Sequence, residues 1–290
     1  MNRATHPVYN RIAIVFDFDE TLIPDDSFQV LLADFGIDPK IFKHEKTEPL
    51  TEKGWDKYLA KAYRLIQASQ QREKGKRLTK QKIAEVGKKL RLLAGVPEMF
   101  DRLRDCVAKE DTSIEIEFYL ITGGFVEIAQ NTSIAHHFKK MWGCAFSYNE
   151  AGEIDFIKTQ MTHTEKTRYL FYISKGIDSD INKDLIYNYR DLPVNKLRIP
   201  LNQVIYVGDG TSDIPCFSVL NEHHGIAIGI HKEDSHAKEW EHREKIAASQ
   251  RIVNIAPANY SENSELMRSL SLSVERICKQ IKLRQLSQGE

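Results

Sequence analysis

Short apolar runs alternate along this chain with longer stretches in which apolar residues recur every three or four positions. The runs 12–16, 114–121 and 204–207 are rich in β-branched and aromatic residues, as buried strands are. The periodic stretches predict amphipathic helices, with clear examples over 97–109 and 262–286. Strands that alternate with helices predict an α/β fold with a doubly wound parallel sheet, in which ligands bind beyond the carboxyl ends of the strands.

Two carboxylates follow the first run, in the sequence Asp17-Phe18-Asp19-Glu20-Thr21. Side chains two residues apart in an extended chain share a face, so Asp17 and Asp19 are expected to lean toward the same point. Like charges there repel each other unless a cation lies between them or one carboxylate is protonated. A hard divalent ion such as Mg²⁺, shared with a substrate phosphate, fits this arrangement. The motif therefore predicts metal-assisted chemistry on a phosphate, with a turn, a calcium loop or a helix cap as the alternatives.

The second run, 114–121, is followed by Thr122, Gly123 and Gly124. Glycines let the backbone approach an anion closely, and a helix predicted over 125–138 would direct its N-terminal N–H groups toward the same place. A phosphate-binding turn is therefore predicted. The alternative is an ordinary strand-to-helix turn in which Thr122 is the N-cap.

Two further segments place charged residues at the ends of elements. Lys166 lies early in a predicted helix, where it opposes the helix dipole unless an anion lies nearby; the alternative is a solvated surface lysine. Asp209 and Asp213 follow the run 204–207 within the sequence Gly-Asp-Gly-Thr-Ser-Asp. Asp209 is placed to complete a metal site, and Asp213 to support that site or to hold Lys166. A glycine-rich turn capped by aspartates is the alternative.

Taken in order, the four segments resemble the pattern of the haloacid dehalogenase-like (HAD) superfamily of phosphatases and phosphotransferases. That pattern is D-x-D-x-T, a Ser or Thr that ends a strand, a Lys, and G-D-x-x-x-D, and the resemblance spans about residues 11–230. It implies a Rossmann-like core, Mg²⁺ as the cofactor, and a reaction that passes through an aspartyl-phosphate.

The resemblance also implies a role for each matching residue. Asp17 would be the nucleophile, and Asp19 would be the general acid and then the general base. Thr122, Gly123 and Lys166 would hold the phosphate. The expected metal ligands are Asp17, the backbone carbonyl of Asp19, Asp209 and, as an outer partner, Asp213.

The stretch between the first two motifs is longer than one crossover connection needs. A helical cap is therefore predicted as an insertion over 24–93, with residues 1–23 and 94–290 as the catalytic core. This placement resembles the C1-type cap of the phosphoserine phosphatase-like branch. Two helices are predicted in the cap, the second of them after an N-cap at Thr79. The aromatic face of the first is interpreted as cap core, and its members are Trp55, Tyr58, Leu59, Ala62, Tyr63 and Ile66.

The composition fits a soluble enzyme, because the 290 residues carry no formal net charge and 41% of them are hydrophobic. No membrane span, signal peptide or nucleic-acid motif is evident, so neither a membrane nor a nucleic acid is expected as a partner. The four scattered cysteines are typical of reduced thiols in the cytoplasm. Residues 40–93 hold sixteen Lys or Arg against six Asp or Glu. This excess indicates an anionic substrate or partner, or a solvated helix face.

The predicted function is a Mg²⁺-dependent phosphatase that acts on a small phosphorylated metabolite. The alternatives are transfer of the phosphoryl group to an acceptor other than water, and a phosphate-binding regulatory protein with little turnover. The sequence departs from the family pattern where the substrate is recognised. Glu20 is bulkier than the Gly or Ser often found there, and Asp25 or Asp26 stands where a glutamate usually reads the amine of phosphoserine. The substrate and the oligomeric state therefore stay open.

Overall fold

A computed structural model of the chain describes residues 10–177, 192–232 and 254–287. Its strands are β1 (Arg11–Phe16), β2 (Glu115–Phe125), β3 (Phe138–Tyr148), β4 (Ile154–Thr159), β5 (Val204–Gly208), β6 (Ile226–His231) and β7 (Asn254–Pro257). These seven strands form one sheet in the order β4-β3-β2-β1-β5-β6-β7.

Helices flank the sheet, and a π-helical turn over Phe42–Thr47 joins two short ones. The helices are α1 (Ser27–Asp34), α2 (Pro39–Ile41), α3 (Glu48–Thr51), α4 (Lys57–Gln70), α5 (Lys80–Lys89), α6 (Val96–Glu110), α7 (Val126–Ala129), α8 (Glu165–Lys175), α9 (Ile214–Glu222) and α10 (Glu265–Ser287). Short 3₁₀ turns cover Ala135–His137, Val194–Lys196, Leu201–Gln203 and Thr211–Asp213.

Strand β1 lies at the centre of the sheet and pairs in parallel with β2 and β5. Ala13 and Val15 pack into the hydrophobic cluster on one face, whereas Ile12, Ile14 and Phe16 pack into the cluster on the other. Both faces of β1 are thus covered, which explains why its sequence is an unbroken apolar run rather than an alternating one. The predicted fold class, a doubly wound α/β sheet, is confirmed.

An antiparallel pair closes one edge of the sheet and was not predicted from the sequence. Strand β4 runs antiparallel to β3, and a turn connects the two. In this turn the Gly152 N–H donates to the Asn149 carbonyl at 2.8 Å, and Gly152 has a φ of 74°. Asn and Gly are the residues that such a turn requires, so the signal for this hairpin was present in the sequence.

The helix predicted over 125–138 is wrong in its length, because the observed helix α7 covers only Val126–Ala129. The Asn131 side-chain amide donates to the Glu127 carbonyl at 2.7 Å, and the Thr132 hydroxyl donates to the Ala129 carbonyl at 2.8 Å. These side chains take the carbonyls that a longer helix would bond through its backbone. The chain then turns into β3.

The segment 24–93 is helical, as predicted. Thr79 caps α5, since its hydroxyl accepts a hydrogen bond from the Lys82 N–H at 3.2 Å. The Leu93 N–H donates to the Leu22 carbonyl at 3.0 Å, so the chain leaves and re-enters the core at neighbouring points. This contact supports the proposed cap limits, which stay a prediction.

The face of α4 that was predicted to form the cap core is only partly buried. Trp55, just before the helix, and Tyr63 are 42% and 40% exposed, and their rings contact each other with centroids 5.0 Å apart. Ala62 and Ile66 of the same face are buried, together with Ala60, Leu65 and Ser69. Periodicity predicted the helix and its aliphatic core residues correctly, but it did not predict that Trp55 and Tyr63 are exposed.

The two long helices of the core are close to their predicted positions. Helix α6 covers Val96–Glu110 and helix α10 covers Glu265–Ser287, and the two pack against each other. The apolar stripe of α10 is fully buried, which confirms that the C-terminal helix packs on the core; it includes Leu266, Leu270, Val274, Ile277 and Ile281. Within the described ranges, none of the helices combines the length and the apolar character needed to cross a membrane.

Gly95 joins the predicted cap to α6 under a tight steric constraint. It has a φ of 77°, and a Cβ atom there would lie 2.2 Å from the backbone of Tyr260. Gly75 has a similar φ of 86°, but nothing lies within 4 Å of its Cβ position. Alanine substitutions at Gly95 and Gly75 therefore separate the cost of backbone strain from the cost of steric overlap.

We expect Gly95→Ala to lower the free energy of unfolding by about 3 kcal/mol or more, since overpacking adds to the cost of a positive φ. Gly75→Ala should cost only about 1 kcal/mol, the share due to φ alone. Chemical denaturation of both variants measures the difference. Equal losses would contradict the steric account.

Candidate active site

The predicted site residues meet at the carboxyl ends of the central strands. Asp17 follows β1, Thr122 lies near the end of β2, and Asp209 follows β5. The Asp17 N–H donates to the Val207 carbonyl at 2.9 Å, which connects the end of β1 to β5. A cavity of about 500 Å³ opens here, and its walls include Asp17, Asp19, Glu20, Tyr58, Thr122, Gly123, His163, Asp209 and Ser212.

Lys166 lies fully buried between two carboxylates. Its Nζ is 2.9 Å from Asp17 Oδ2 and 2.7 Å from Asp213 Oδ1. The Tyr206 hydroxyl also donates to Asp213 Oδ1, at 2.7 Å. Burial by itself would lower the pKa of Lys166, but the charges of Asp17 and Asp213 outweigh it and hold that pKa above the usual value. Lys166 is therefore a fixed cation of the site and not a solvated surface lysine.

Asp17 has one oxygen engaged by the backbone and the other by Lys166. The Phe18 N–H donates to Asp17 Oδ1 at 2.8 Å. Burial raises the pKa of Asp17 to about 6, and the nearby charge of Lys166 limits the rise. The carboxylate is therefore mostly ionised at neutral pH.

Asp19 lies in the same cavity wall but has no lysine beside it within the described residues. Its Oδ1 accepts the Ser27 N–H at 2.8 Å. Burial, followed by the charge of Asp26, raises the pKa of Asp19 to about 7. Two aspartates two positions apart thus have different environments, so Asp19 can hold and release a proton near neutral pH.

Three carboxylates form a set that fits a divalent cation. One oxygen each of Asp17, Asp209 and Asp213 lies within 4.8 Å of the others. Burial and the charges of Asp17 and Asp213 raise the pKa of Asp209 to about 9. Hard oxygen donors that repel one another in this way suit Mg²⁺, which would offset the repulsion.

The glycines of the second motif make room for neighbouring side chains. A Cβ atom on Gly124 would lie 2.8 Å from Asp19 Oδ2, and one on Gly123 would lie 3.0 Å from the Tyr58 ring. Thr122 is buried, and its hydroxyl accepts the Gly124 N–H at 2.9 Å. Thr122 is not a helix N-cap, because α7 begins after Phe125.

The sequence missed several residues of the cavity wall. Tyr58 was assigned to the cap core, yet it faces Gly123 across the cavity. His163 lies beside it, with ring centroids 6.0 Å apart. Burial, together with the charges of Lys57 and Lys166, lowers the pKa of His163. Its position three residues before Lys166 was the one available signal.

Glu20, the bulky residue of the first motif, adopts a φ of 54°. Its N–H donates to the Asp25 carbonyl at 3.4 Å, and its carboxylate pairs with Lys232. A non-glycine residue in this conformation is strained, and here surrounding contacts hold the turn. Glu20 therefore shapes the rim of the cavity, at the position where the family resemblance often implies Gly or Ser.

Comparison with known sequences places these features in a family. The family model Put_Phosphatase, described as "Putative Phosphatase", matches residues 12–271. An uncharacterized protein of Borreliella burgdorferi is 29% identical over 294 residues, which cover 93% of this chain and 97% of that protein.

Comparison with solved structures gives the same fold at low sequence identity. A HAD family hydrolase from Salmonella enterica serovar Typhi aligns with a TM-score of 0.56 and 16% identity over 85% of this chain and 66% of that one. A phosphoserine phosphatase, solved as a phospho-aspartyl intermediate analogue, aligns with a TM-score of 0.53 and 14% identity over 91% of this chain and 99% of that one. The chain thus belongs to the Put_Phosphatase family and has the fold of the haloacid dehalogenase-like hydrolases.

Proposed function

We propose that this protein is a Mg²⁺-dependent phosphatase that hydrolyses small phosphomonoesters through an aspartyl-phosphate on Asp17. The observation that carries the proposal is the buried Asp17 carboxylate, held by Lys166 at 2.9 Å and open to a cavity that also contains Asp19. In this proposal residues 24–93 form the cap and residues 1–23 and 94–290 form the core. The free cysteines of the described residues fit a location in the cytoplasm.

In the first half-reaction, an oxygen of ionised Asp17 attacks phosphorus and the bond from phosphorus to the leaving oxygen breaks. Asp19 donates its proton to that oxygen, so the product leaves as an alcohol. Lys166 neutralises charge between Asp17 and the phosphate. Thr122 and the Gly123 N–H hold the phosphate oxygens.

In the second half-reaction, the Asp19 carboxylate takes a proton from water, and the water oxygen attacks phosphorus. The bond between phosphorus and Asp17 breaks, which releases inorganic phosphate and restores ionised Asp17 and protonated Asp19. Asp17, Asp209 and the backbone carbonyl of Asp19 would hold Mg²⁺, with Asp213 behind them. When bound, the ion would neutralise charge on the phosphate oxygens.

Asp17→Asn should lower the rate of phosphate release from a panel of phosphomonoesters by about 10³-fold or more, because the amide is a poor nucleophile. Wild-type release should need Mg²⁺ and stop with chelator. The variant should keep its circular dichroism spectrum, and Asp155→Asn, at an exposed position on β4, should keep its activity.

Undiminished activity in Asp17→Asn would contradict the proposal. A phosphorylated acceptor without free phosphate would indicate a transferase, and tight ester binding without turnover a binding protein.

Asp19→Asn removes the proton donor, so its effect should depend on the leaving group. We expect about 10²–10⁴-fold slower hydrolysis of alkyl phosphates, whose alcohols leave only when protonated. The loss should be much smaller for p-nitrophenyl phosphate, whose phenolate leaves without a proton. Steady-state rates of both esters test this, and the same loss on both would refute the acid role.

Asp209→Asn should stabilise the metal-free protein. Because the folded-state pKa of Asp209 is raised from 3.8 to about 9, the stability this group contributes is present below pH 3.8 and is lost as pH rises toward 9. At pH 7.5 in chelator, the variant should therefore unfold a few degrees above wild type. Added Mg²⁺ should raise the melting temperature of wild type and leave the variant nearly unchanged. An equal response to Mg²⁺ in both proteins would exclude Asp209 as a ligand.

A further inference from the structure

A second cavity, of about 660 Å³, adjoins the catalytic one on the cap side. The two cavities share part of their walls, including Phe28, Lys57 and Lys61. A phosphomonoester whose phosphate lies at Asp17 would therefore direct its leaving group toward this second space. We call it the cap cavity.

The cap cavity has an apolar floor. Phe28, Leu32 and Phe42 line it and are each at least 95% buried. The rings of Phe28 and Phe42 pack with centroids 5.8 Å apart. Because these side chains are fixed in the hydrophobic cluster, the floor is rigid and suits the carbon skeleton of a leaving group.

Four lysines surround that floor, together with His44 and two acidic residues, Asp26 and Glu48. The lysines are Lys40, Lys43, Lys57 and Lys61. Glu48 is engaged by His44 at 2.6 Å and by Lys43 at 3.8 Å. The charge left over around the cavity is therefore positive.

Lys57 and Lys61 lie one turn apart on α4, at the boundary between the two cavities. Lys61 is 3.9 Å from Asp26, and its Nζ lies over the Phe28 ring at 5.1 Å. Lys57 has no carboxylate within 4.0 Å among the described residues. Burial and the charge of Lys61 lower the pKa of Lys57. Two like charges at this spacing repel, and an anion between them would offset the repulsion.

The acidic residues that could instead bind an amine are partly engaged or lie outside both cavities. Asp26 caps α1, where its Oδ1 accepts the N–H groups of Phe28 and Gln29 at 2.9 and 3.2 Å. Asp25 is exposed and lies outside the walls of both cavities. A cationic leaving group would meet Lys57 and Lys61 together with one carboxylate, Asp26, whose Oδ2 already lies 3.9 Å from Lys61.

We infer that the cap cavity selects phosphomonoesters whose leaving group carries a second anionic group, a carboxylate or a second phosphate, which binds between Lys57 and Lys61. This inference rests on the proposed phosphatase function, since it assigns the substrate class of the same site. In this arrangement the cavity at Asp17 holds the reacting phosphate, and the cap cavity holds the distal anion.

The test compares four esters of similar length that differ in the distal group. They are propyl phosphate (neutral), 3-phosphonooxypropionate (carboxylate), 1,3-propanediol bisphosphate (second phosphate) and phosphoethanolamine (cation). The value of kcat/KM is measured for wild type, Lys57→Met and Lys61→Met. The matched control is Lys53→Met, which removes one exposed lysine from the same segment, outside both cavities.

We expect wild type to prefer one or both anionic esters over propyl phosphate by about tenfold or more in kcat/KM, and to use phosphoethanolamine least. The two anionic esters separate a carboxylate from a phosphate as the distal group. Lys57→Met and Lys61→Met should each reduce the anionic-to-neutral ratio several-fold, whereas Lys53→Met should keep it. A ratio near one in wild type, a preference for phosphoethanolamine, or the same fall in Lys53→Met would overturn the inference.

Binding of the same esters to Asp17→Asn, measured by calorimetry, separates this inference from the proposed function. Hydrolysis without preference for anionic esters would overturn the inference and still support the proposed phosphatase function. Preferential binding of anionic esters without turnover of any ester in wild type sinks the phosphatase and keeps the anion site. If the anionic esters are neither bound nor hydrolysed, the inference is overturned as well.

Discussion

The ion pair network of Lys166 with Asp17 and Asp213 is the constraint on which the rest of the site depends. A lysine this deeply buried is costly unless its charge is compensated, and two carboxylates at 2.9 and 2.7 Å supply the compensation. In return Lys166 keeps Asp17 ionised inside a protein interior that would otherwise favour its protonated form. The Tyr206 hydroxyl and the close approach of Gly208 to Asp213 fix the far side of the network. The sheet thereby presents an ionised carboxylate in a buried place.

Around this network, the other carboxylates are set apart by their surroundings. Asp19 faces Asp26 and the start of α1 rather than a lysine, and its pKa is raised to about 7, above the value of about 6 for Asp17. Asp209 faces two carboxylates and is left with the strongest repulsion, the condition that a divalent cation relieves. The carboxyl ends of β1 and β5 thus bring together three aspartates whose pKa values differ because their surroundings differ.

The sequence predicted where the acidic residues and Lys166 meet better than it predicted which helical residues line the cavities, and the reason is physical. Asp17, Asp19, Lys166 and Asp209 occur at the ends of regular elements, where strand periodicity and parallel pairing dictate where side chains meet. Tyr58, Lys57 and Lys61 belong to helix α4, and periodicity alone does not show which side chains of a helix face a cavity. The length of α7 was also beyond the pattern, because local bonds from Asn131 and Thr132 end it. Cap residues depend on packing between distant segments, and a single sequence does not carry that information.

Trapping the covalent intermediate tests most directly whether Asp17 is the nucleophile. Wild-type protein mixed with an excess of an accepted phosphomonoester and Mg²⁺ would be quenched in acid, reduced with borohydride, digested and sequenced by mass spectrometry. Borohydride converts an aspartyl-phosphate to homoserine, so a nucleophilic Asp17 predicts homoserine at position 17 and none in a sample quenched before substrate is added. Homoserine at another aspartate, or none at any position while phosphate is being released, would contradict it.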